Sequence, residues 1–154
     1  MQLRHIARRS VEPVTPDTTL RRAALKLIQQ GVTALPVCRN GRLVGTLTAH
    51  DLIVRATSER RDPNRTPVAD LMSQPATYCF EDQDLREALR RMREGHLTRI
   101  WVVARDGRLA GVVRLRDVLL QVARSETDER AEAGTEEKSV DQSTQRRTKH
   151  VRQN

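Results

Sequence analysis

The feature that most constrains the fold of this 154-residue chain is an internal repeat. The segment LPVCRNGRLVGTLTAHDL (35–52) returns as IWVVARDGRLAGVVRLRDVL (100–119), and VTPDTTLRRAALKLIQQG (14–31) matches CFEDQDLREALRRMREGH (79–96). The offset is 65 residues in the earlier part and 66 from the Asn-Gly or Asp-Gly turn onward. Because the match is anchored at both ends, chance is a poor explanation. The chain therefore contains two copies of one structural unit.

Each copy predicts a short extended segment, a helix, a β-hairpin and a second helix. Apolar residues at helical spacing run from Leu20 to Ile28 and from Leu85 to Met92, with Asp17 and Asp82 as the expected N-caps. Asn-Gly and Asp-Gly favour tight hairpin turns, because such turns need positive φ at both central residues. The predicted strands are 35–39, 43–48, 100–105 and 109–114, and the second helices cover about 49–57 and 115–124. One copy is too small to close a core, whereas two packed together form an α+β fold.

The predicted domain organisation follows the repeat. The first motif covers residues 1–58 and the second covers 68–124, with the connecting segment ERRDPNRTP (59–67) as a linker rich in turn-forming residues. The tail, residues 125–154, contains seven acidic and six basic residues and no aromatic residue. It has too little apolar surface to offset its ordering entropy, so we expect it to be disordered.

Composition excludes several classes of protein. No apolar run approaches the roughly 18–20 residues of a membrane span, and the basic N-terminus lacks the hydrophobic region of a secretory signal. Cys38 and Cys79 form no CxxC motif and lie in apolar runs, which is typical of buried thiols in a reducing cytoplasm. The histidines have no metal-ligand spacing with the cysteines, so no metal site is expected. Residues 1–124 carry 22 basic and 13 acidic residues. Nucleic acid is thus a possible partner, but not the favoured one, since the chain has only three aromatic residues.

The repeated segment resembles the signature of the CBS (cystathionine-beta-synthase-type) domain. The matching features are the apolar-Pro-Val strand, the Asn/Asp-Gly hairpin, the glycine before the last strand and the Thr-x-x-Asp ending, over about residues 3–123. The resemblance implies a tandem pair, the Bateman module, in which two βαββα motifs pack about a pseudo-twofold axis. It also implies clefts that bind adenine nucleotides such as AMP or ATP, a regulatory role, and a homodimer. In this chain the dimer is expected to form through the second helices.

The Thr-x-x-Asp ending has two physical interpretations. Thr48 stands where a strand runs into a helix, and its hydroxyl there offers a donor to a phosphate, while Asp51 offers two acceptors to the ribose hydroxyls. The family assigns these roles to these two positions. The same pair also matches a helix capping box, which contributes about 1 kcal/mol without any ligand.

The second copy departs from this pattern. Asp117 is kept, but Arg114 replaces the hydroxyl residue, and Trp101 stands where the first copy has Pro36. Arg114 is expected either to contact the phosphates of a more highly charged ligand or to fill the cleft, with a salt bridge or solvent exposure as the alternative. Pro36 and Val37 in the first copy are the remaining ligand contacts that the resemblance implies. Trp101 places a large ring where the family's backbone approaches the adenine, and it is expected either to stack on the base or to block it.

The sequence therefore predicts a stand-alone, cytoplasmic CBS pair that is not an enzyme and needs no cofactor. It would bind an adenine nucleotide between its motifs and regulate an unknown partner in trans. The alternatives are a structural or adaptor protein with vestigial nucleotide sites, and an RNA- or DNA-binding protein that uses its arginine-rich surface.

Overall fold

The computed structural model describes the backbone of residues 1–150 and the side chains of residues 1–134. The chain divides into one unit at Met1–Leu115 and a second unit that begins at Arg116. The elements, in chain order, are α1 (Leu20–Gln30), β1 (Ala34–Arg39), β2 (Arg42–Thr48), a π-helical segment (Asp51–Ala56), β3 (Tyr78–Phe80), α2 (Leu85–Glu94), β4 (Arg99–Val103), β5 (Leu109–Arg114) and α3 (Leu115–His150). Short 3-10 turns lie at Leu3–His5 and Val68–Asp70.

The two copies form equivalent sheets. In the second copy β3 pairs in parallel with β4, which pairs antiparallel with β5. In the first copy β1 and β2 form the antiparallel hairpin, and Val14 adds a single parallel bridge to Val37 at the position that β3 occupies in the other sheet. The equivalence confirms the predicted α+β fold of two repeated motifs related by a pseudo-twofold axis.

One core forms around the first copy and includes two residues of the second motif, and a smaller apolar cluster also joins the copies. The core consists of one face of α1, the inner residues of the hairpin and two residues from the 68–71 turn. Its buried members are Val14, Leu20, Ala23, Leu27, Leu35, Val37, Leu47, Val68 and Leu71. The joining cluster contains buried Ala34, Ala76, Trp101 and Val112. Burial of such side chains contributes about 25 cal/mol per Å² of apolar surface.

The first hairpin turn matches the prediction, whereas the second turn and the helix N-caps do not. Asn40 and Gly41 have φ values of 52° and 78°, as the predicted tight turn requires. In the second turn Gly107 has a φ of 88°, but Asp106 is not among the residues with positive φ, so the predicted conformation is absent there. The N-caps, however, are Thr19 and Asp84, two residues later than expected; their side chains accept hydrogen bonds from the N–H groups of Arg22 and Arg86. The expectation of Asp17 and Asp82 was therefore wrong, because the residue directly before the first helical residue is the one whose side chain reaches the free N–H groups.

Three further differences concern apolar residues and element ends. Ile28, expected on the core face of α1, is 77% exposed. Strand β4 ends at Val103 rather than 105. Helix α3 runs beyond residue 124, and every side chain from 125 to 134 is exposed. Alanine, glutamate and arginine dominate that stretch, and their helix propensity extends the helix without core contacts. The remainder of the predicted disordered tail, residues 135–154, lies outside the residues whose side chains are described.

The two cysteines are buried and unpaired, as expected. Burial raises the pKa of the Cys38 thiol to about 11 and also raises the pKa of Cys79. Both thiols are therefore neutral and unreactive at physiological pH.

Candidate functional site

The Thr48–Asp51 pair forms a reciprocal helix cap. The N–H of Thr48 donates to Oδ2 of Asp51, and the N–H of Asp51 donates to Oγ1 of Thr48, both at 3.0 Å. Asp51 is 9% exposed. The capping interpretation thus holds in the ligand-free protein. The Thr48 hydroxyl can still bind a ligand, because it accepts in this hydrogen bond and keeps its proton to donate.

Thr48 lies on the wall of a cavity in the Met1–Leu115 unit, with a volume of about 640 Å³. The wall is formed by the ends of the first hairpin, the 73–77 loop and the turn that leads into β4. Its lining residues are Thr33, Ala34, Thr46, Thr48, Ala49, His50, Ile53, Ser73, Pro75, Ala76, Thr77, His96, Leu97, Thr98, Arg99 and Trp101. The lining contains both hydroxyl and apolar side chains, and none of the described carboxylates belongs to it. A cavity of this size and composition suits a small organic ligand that carries negative charge.

Arg99 provides the fixed positive charge of the cavity. It is the first residue of β4 and faces Arg114 directly across the β4–β5 pair. Burial, and to a lesser extent the charge of Arg114, lower the pKa of Arg99. Its Nη2 donates to Oγ1 of Thr33 at 3.1 Å, and no carboxylate among the described side chains lies within 4 Å of it. Two like charges held opposite each other are unfavourable without an anion nearby. The pair therefore favours an anionic ligand.

Trp101 forms part of the same wall. Its indole Nε1 donates to Oγ1 of Thr46 at 2.8 Å, across from the other copy, and only 3% of the residue is exposed. The hydrogen bond satisfies the one polar atom of the ring and fixes its orientation. The ring therefore closes one side of the cavity rather than projecting into solvent.

The predicted site residues do not all meet at this cavity. Thr48 and Trp101 line it. Asp51 is buried behind Thr48 and is not among the lining residues, and Pro36 and Val37 lie inside β1 and are buried. Arg114 ends β5, next to Arg99 but not on the cavity wall. Asp117 lies in the first turn of α3, in the second unit, where Nε of Arg116 is 3.7 Å from its carboxylate.

Sequence reasoning missed Arg99. Arg99 occupies the position of Ala34 in the first copy, so it breaks the apolar character of the repeat just before a strand. That cation, placed where a hairpin begins, was a usable signal. The Thr-x-x-Asp ending indicated Arg114 instead.

Two further observations limit the kinds of chemistry present. Among the described residues, no three His, Cys, Asp or Glu side chains are grouped so that they could hold a metal ion. No helix in the described part of the chain combines the length and apolar character needed to cross a membrane.

Comparison with known proteins identifies the family. The family model of the CBS domain matches residues 3–57 and 68–124. The chain therefore belongs to the CBS domain family, as its tandem motifs and fold also indicate.

Individual relatives match both motifs together. The chain is 32% identical over 117 residues to the CBS domain-containing protein YhcV of Bacillus subtilis, covering 76% of this chain and 82% of YhcV. A Methanopyrus kandleri protein, MK0525, is 29% identical over 115 residues, which are 74% of this chain but 59% of that relative.

Solved structures share the fold. Hypoxic response protein 1 of Mycobacterium tuberculosis, in a structure with two coordinated zinc ions, superimposes with a TM-score of 0.71, at 28% identity over 77% of this chain and 97% of that one. The cytosolic domain of the Mg²⁺ channel MgtE, solved in complex with ATP, superimposes with a TM-score of 0.66 at 31% identity, over 74% of this chain and 46% of that one. MgtE of Thermus thermophilus is also a sequence relative of the chain.

Proposed function

We propose that this CBS pair is a regulatory protein that binds an adenine nucleotide in the cavity of about 640 Å³. The observation that carries the proposal is the Arg99–Thr48 wall: a cation without a carboxylate partner and a hydroxyl donor border one cavity. The structural relative MgtE, solved with ATP, supports an adenine nucleotide as the ligand class. No cofactor is part of the proposal.

The proposed roles follow from the chemistry of each group. Arg99 would pair with a phosphate through its planar guanidinium, and the Thr48 hydroxyl would donate to a second phosphate oxygen. Asp51 uses its Oδ2 atom in the helix cap. No hydrogen bond to its Oδ1 atom is found among the described residues, and this oxygen would accept from a ribose hydroxyl. Trp101 would border the base.

The residues expected at a second cleft remain predictions. Arg114 and Asp117 do not line the described cavity. Arg114 would act there as the phosphate contact or as the residue that closes the cleft, and Asp117 as the ribose acceptor. In the first motif, Pro36 and Val37 would support the ligand from behind the cavity wall.

Ligand binding would be passed on to another protein through an exposed apolar surface beside the cavity. Ile53 lines the cavity and is 69% exposed, and its neighbour Val54 is 47% exposed. An exposed apolar pair beside a ligand site suits a protein contact whose strength depends on the ligand. We propose that it serves a homodimer or a regulated partner in trans. An adaptor with vestigial nucleotide sites is the alternative function.

Thermal unfolding with and without nucleotide tests the proposal. A ligand at 100 times its dissociation constant stabilises the fold by about 2.7 kcal/mol, which raises the melting midpoint of a domain of this size by more than about 5 °C. ATP and AMP should give this shift, and Asp51→Ala should abolish it. Arg99→Ala should weaken ATP about 10- to 100-fold and leave adenosine, which has no phosphate, unchanged.

Arg86→Ala is the matched control, because Arg86 is exposed at the start of α2 and does not line the cavity. It should bind ATP as the wild-type protein does. If no adenine nucleotide shifts the wild-type midpoint, the sensor function is wrong and the adaptor function replaces it. If Arg99→Ala weakens ATP and adenosine equally, Arg99 supports the fold of the cavity and does not contact phosphate.

A further inference from the structure

The turns of the two hairpins meet each other at the end of the strands opposite the nucleotide cavity. The N–H of Leu43 donates to the carbonyl of Gly107, and the N–H of Leu109 donates to the carbonyl of Gly41, both at 3.1 Å. Strand β1 runs from Ala34, on the cavity wall, to Arg39 at the turn, a distance of about 17–20 Å for six residues. The backbone therefore holds both turns at one edge, far from the nucleotide cavity.

This edge carries five exposed arginines, and we call it the hairpin edge: Arg9, Arg39, Arg42, Arg105 and Arg108. Arg42 and Arg108 are bridge partners, so two positive residues face each other directly. The side chain of each arginine reaches the turn glycine of the other hairpin. Nη1 of Arg108 lies 3.4 Å from the position that a Cβ on Gly41 would occupy, and Cγ of Arg42 lies 4.0 Å from the position that a Cβ on Gly107 would occupy. The missing side chains of the two turn glycines thus make room for the two arginines.

Carboxylates balance only part of this charge. Arg105 donates to Asp82 at 2.9 Å and lies 4.2 Å from the ring centroid of Phe80, and Nε of Arg108 is 3.4 Å from Asp106. Among the described side chains, no ion pair within 4 Å is found for Arg9, Arg39 or Arg42. Opposed like charges are destabilising in a strand pair, so an external anion at this edge would be stabilising.

A cavity of about 490 Å³ opens at the same edge. Arg9 and Arg108 stand on its wall together with Glu81, and Cys38 and Gly41 form part of its lining. The edge is therefore a grooved surface rather than a set of isolated side chains, and its cations come from both hairpins and from the segment before α1.

We propose that the hairpin edge binds the phosphate backbone of a nucleic-acid double helix. Guanidinium groups contact phosphates in bidentate fashion, and several exposed ones along one edge can contact successive phosphates of a backbone. The exposed large apolar residues of the described chain are Met1, Leu25, Ile28, Ile53, Val54, Leu119 and Leu120, and none of them belongs to the hairpin edge. A protein partner would lack the apolar anchor that stable protein interfaces use.

The same surface favours a duplex over a single strand. Single-strand binders stack bases on exposed aromatic rings. Here Trp101 is buried, and Tyr78 and Phe80 are only partly exposed, with Arg105 covering the ring of Phe80. Contacts limited to phosphates position a protein on nucleic acid without reading its sequence. The inferred binding is therefore sequence-independent and sensitive to salt.

Fluorescence anisotropy with labelled 20-base-pair DNA and RNA duplexes tests the inference. The wild-type chain should bind at least one duplex, with affinity that falls as salt rises. Arg39→Gln with Arg42→Gln should weaken binding about tenfold or more and lower the slope of log K against log salt by about 1.8, which is 0.9 per lost phosphate contact. Arg108→Gln should lower the slope by about 0.9.

The matched control is Arg86→Gln with Arg93→Gln, which removes the same charge from exposed positions on α2. The control should bind duplex as the wild-type protein does. No variant should melt below the wild-type protein, and those that remove Arg42 or Arg108 should melt at the same or a slightly higher temperature because they relieve repulsion. Equal weakening by both double variants would show a net-charge effect and overturn the hairpin edge as a site. Absence of binding to either duplex, or tighter binding of a poly-glutamate peptide than of the duplexes, would overturn it as well. ATP-induced stabilisation should be unchanged in the hairpin-edge variants, so this test is separate from that of the nucleotide cavity.

Discussion

The two copies of the motif bury the same positions and differ in what they present outside. On the inner faces of α1 and α2 the pairs Leu20 and Leu85, Ala23 and Ala88, and Leu27 and Met92 are all buried. On the outer faces the positions of Leu25 and Ile28 in α1 carry Arg90 and Arg93 in α2. Because packing dictates the inner residues and leaves the outer ones free, the copies could diverge at their surfaces without loss of the fold.

The same division applies to the hairpins. Both copies keep a turn glycine with positive φ, a register shift within the hairpin and the glycine of the last strand. They differ at the strand ends, where the first copy has Ala34 and Thr48 and the second has Arg99 and Arg114. These are the positions at or beside the cavity of about 640 Å³. Differences between the copies therefore point to function more directly than their similarities do.

The largest effect is expected at the strand glycines Gly45 and Gly111, against which another backbone segment packs in each copy. A Cβ on Gly111 would lie 2.7 Å from the carbonyl oxygen of Arg8, whereas one on Gly45 would lie 2.9 Å from Sδ of Met72 and 3.0 Å from the carbonyl oxygen of Ser73. A flexible methionine moves more easily than a bridged backbone. Gly111→Ala should cost about 3 kcal/mol and Gly45→Ala about 1–2 kcal/mol, measured by urea unfolding.

The outcome decides how tightly the backbone constrains each copy. The bridge of Arg8 with Val112 has hydrogen bonds of 2.9 and 3.0 Å, and the bridge of Thr46 with Ser73 has hydrogen bonds of 3.1 and 2.9 Å. Losses of equal size would mean that the carbonyl of Ser73, rather than Met72, limits the first copy. A larger loss from Gly45→Ala would contradict the comparison.

How far the sequence predicted this structure depends on the range of the interactions involved. The first hairpin was predicted almost to the residue, because Asn40-Gly41 determines the local backbone geometry. The second was predicted less well, since only Gly107 of its Asp-Gly pair has positive φ and β4 ends at Val103. The N-caps were misplaced by two residues, since an Asp, Thr, Thr series offers several capping side chains and only tertiary packing selects one. Ile28 was expected in the core because helical spacing gives the stripe but not its width.

The candidate site was predictable only in part, for a related reason. Thr48 and Asp51 follow from a contiguous motif, and the structure places them in hydrogen-bond contact. Arg99 reaches the cavity through the packing of the two copies, and Trp101 is held by Thr46, 55 residues away in the sequence. The meeting of the two hairpin turns is likewise a contact between copies. No pattern within one copy contains that information.

An intermediate effect is expected from the strand-to-helix corner, where Thr48 and Arg114 are counterparts. Thr48→Val removes the hydroxyl that accepts from the N–H of Asp51 and should cost about 1 kcal/mol without ligand. Arg114→Ala relieves the repulsion with Arg99 and should change stability by less than about 0.5 kcal/mol. Urea unfolding of the ligand-free variants measures both. Thr48→Ser, which keeps the hydroxyl, should retain nearly the full stability, and a loss equal to that of Thr48→Val would show that the methyl group, not the cap, is responsible.

The smallest effect is expected from the outer face of α2, where Glu87 accepts hydrogen bonds from two arginines. The equivalent position of α1 has no such carboxylate. Oε1 of Glu87 accepts from Arg90 at 2.6 Å and from Arg91 at 2.8 Å. These hydrogen bonds, that from Arg90 first, lower the pKa of Glu87 from its usual value to about 2. A carboxyl whose pKa is lower in the folded than in the unfolded protein stabilises the fold above its unfolded pKa of about 4.3, and that contribution disappears as the pH falls toward 2.

Glu87→Gln should therefore lower the melting midpoint by a constant, small amount from pH 7 to pH 5. The difference from the wild-type protein should shrink below about pH 4.3 and vanish near pH 2, and added salt should reduce it at neutral pH, because the groups are close to solvent. Arg22→Gln, at the equivalent position of α1, is the control and should give a difference that does not change over this range, since no carboxylate ion pair within 4 Å is found for Arg22 among the described side chains. A Glu87→Gln difference that persists unchanged at pH 2 would mean that packing of the side chain, rather than its charge, distinguishes α2 from α1.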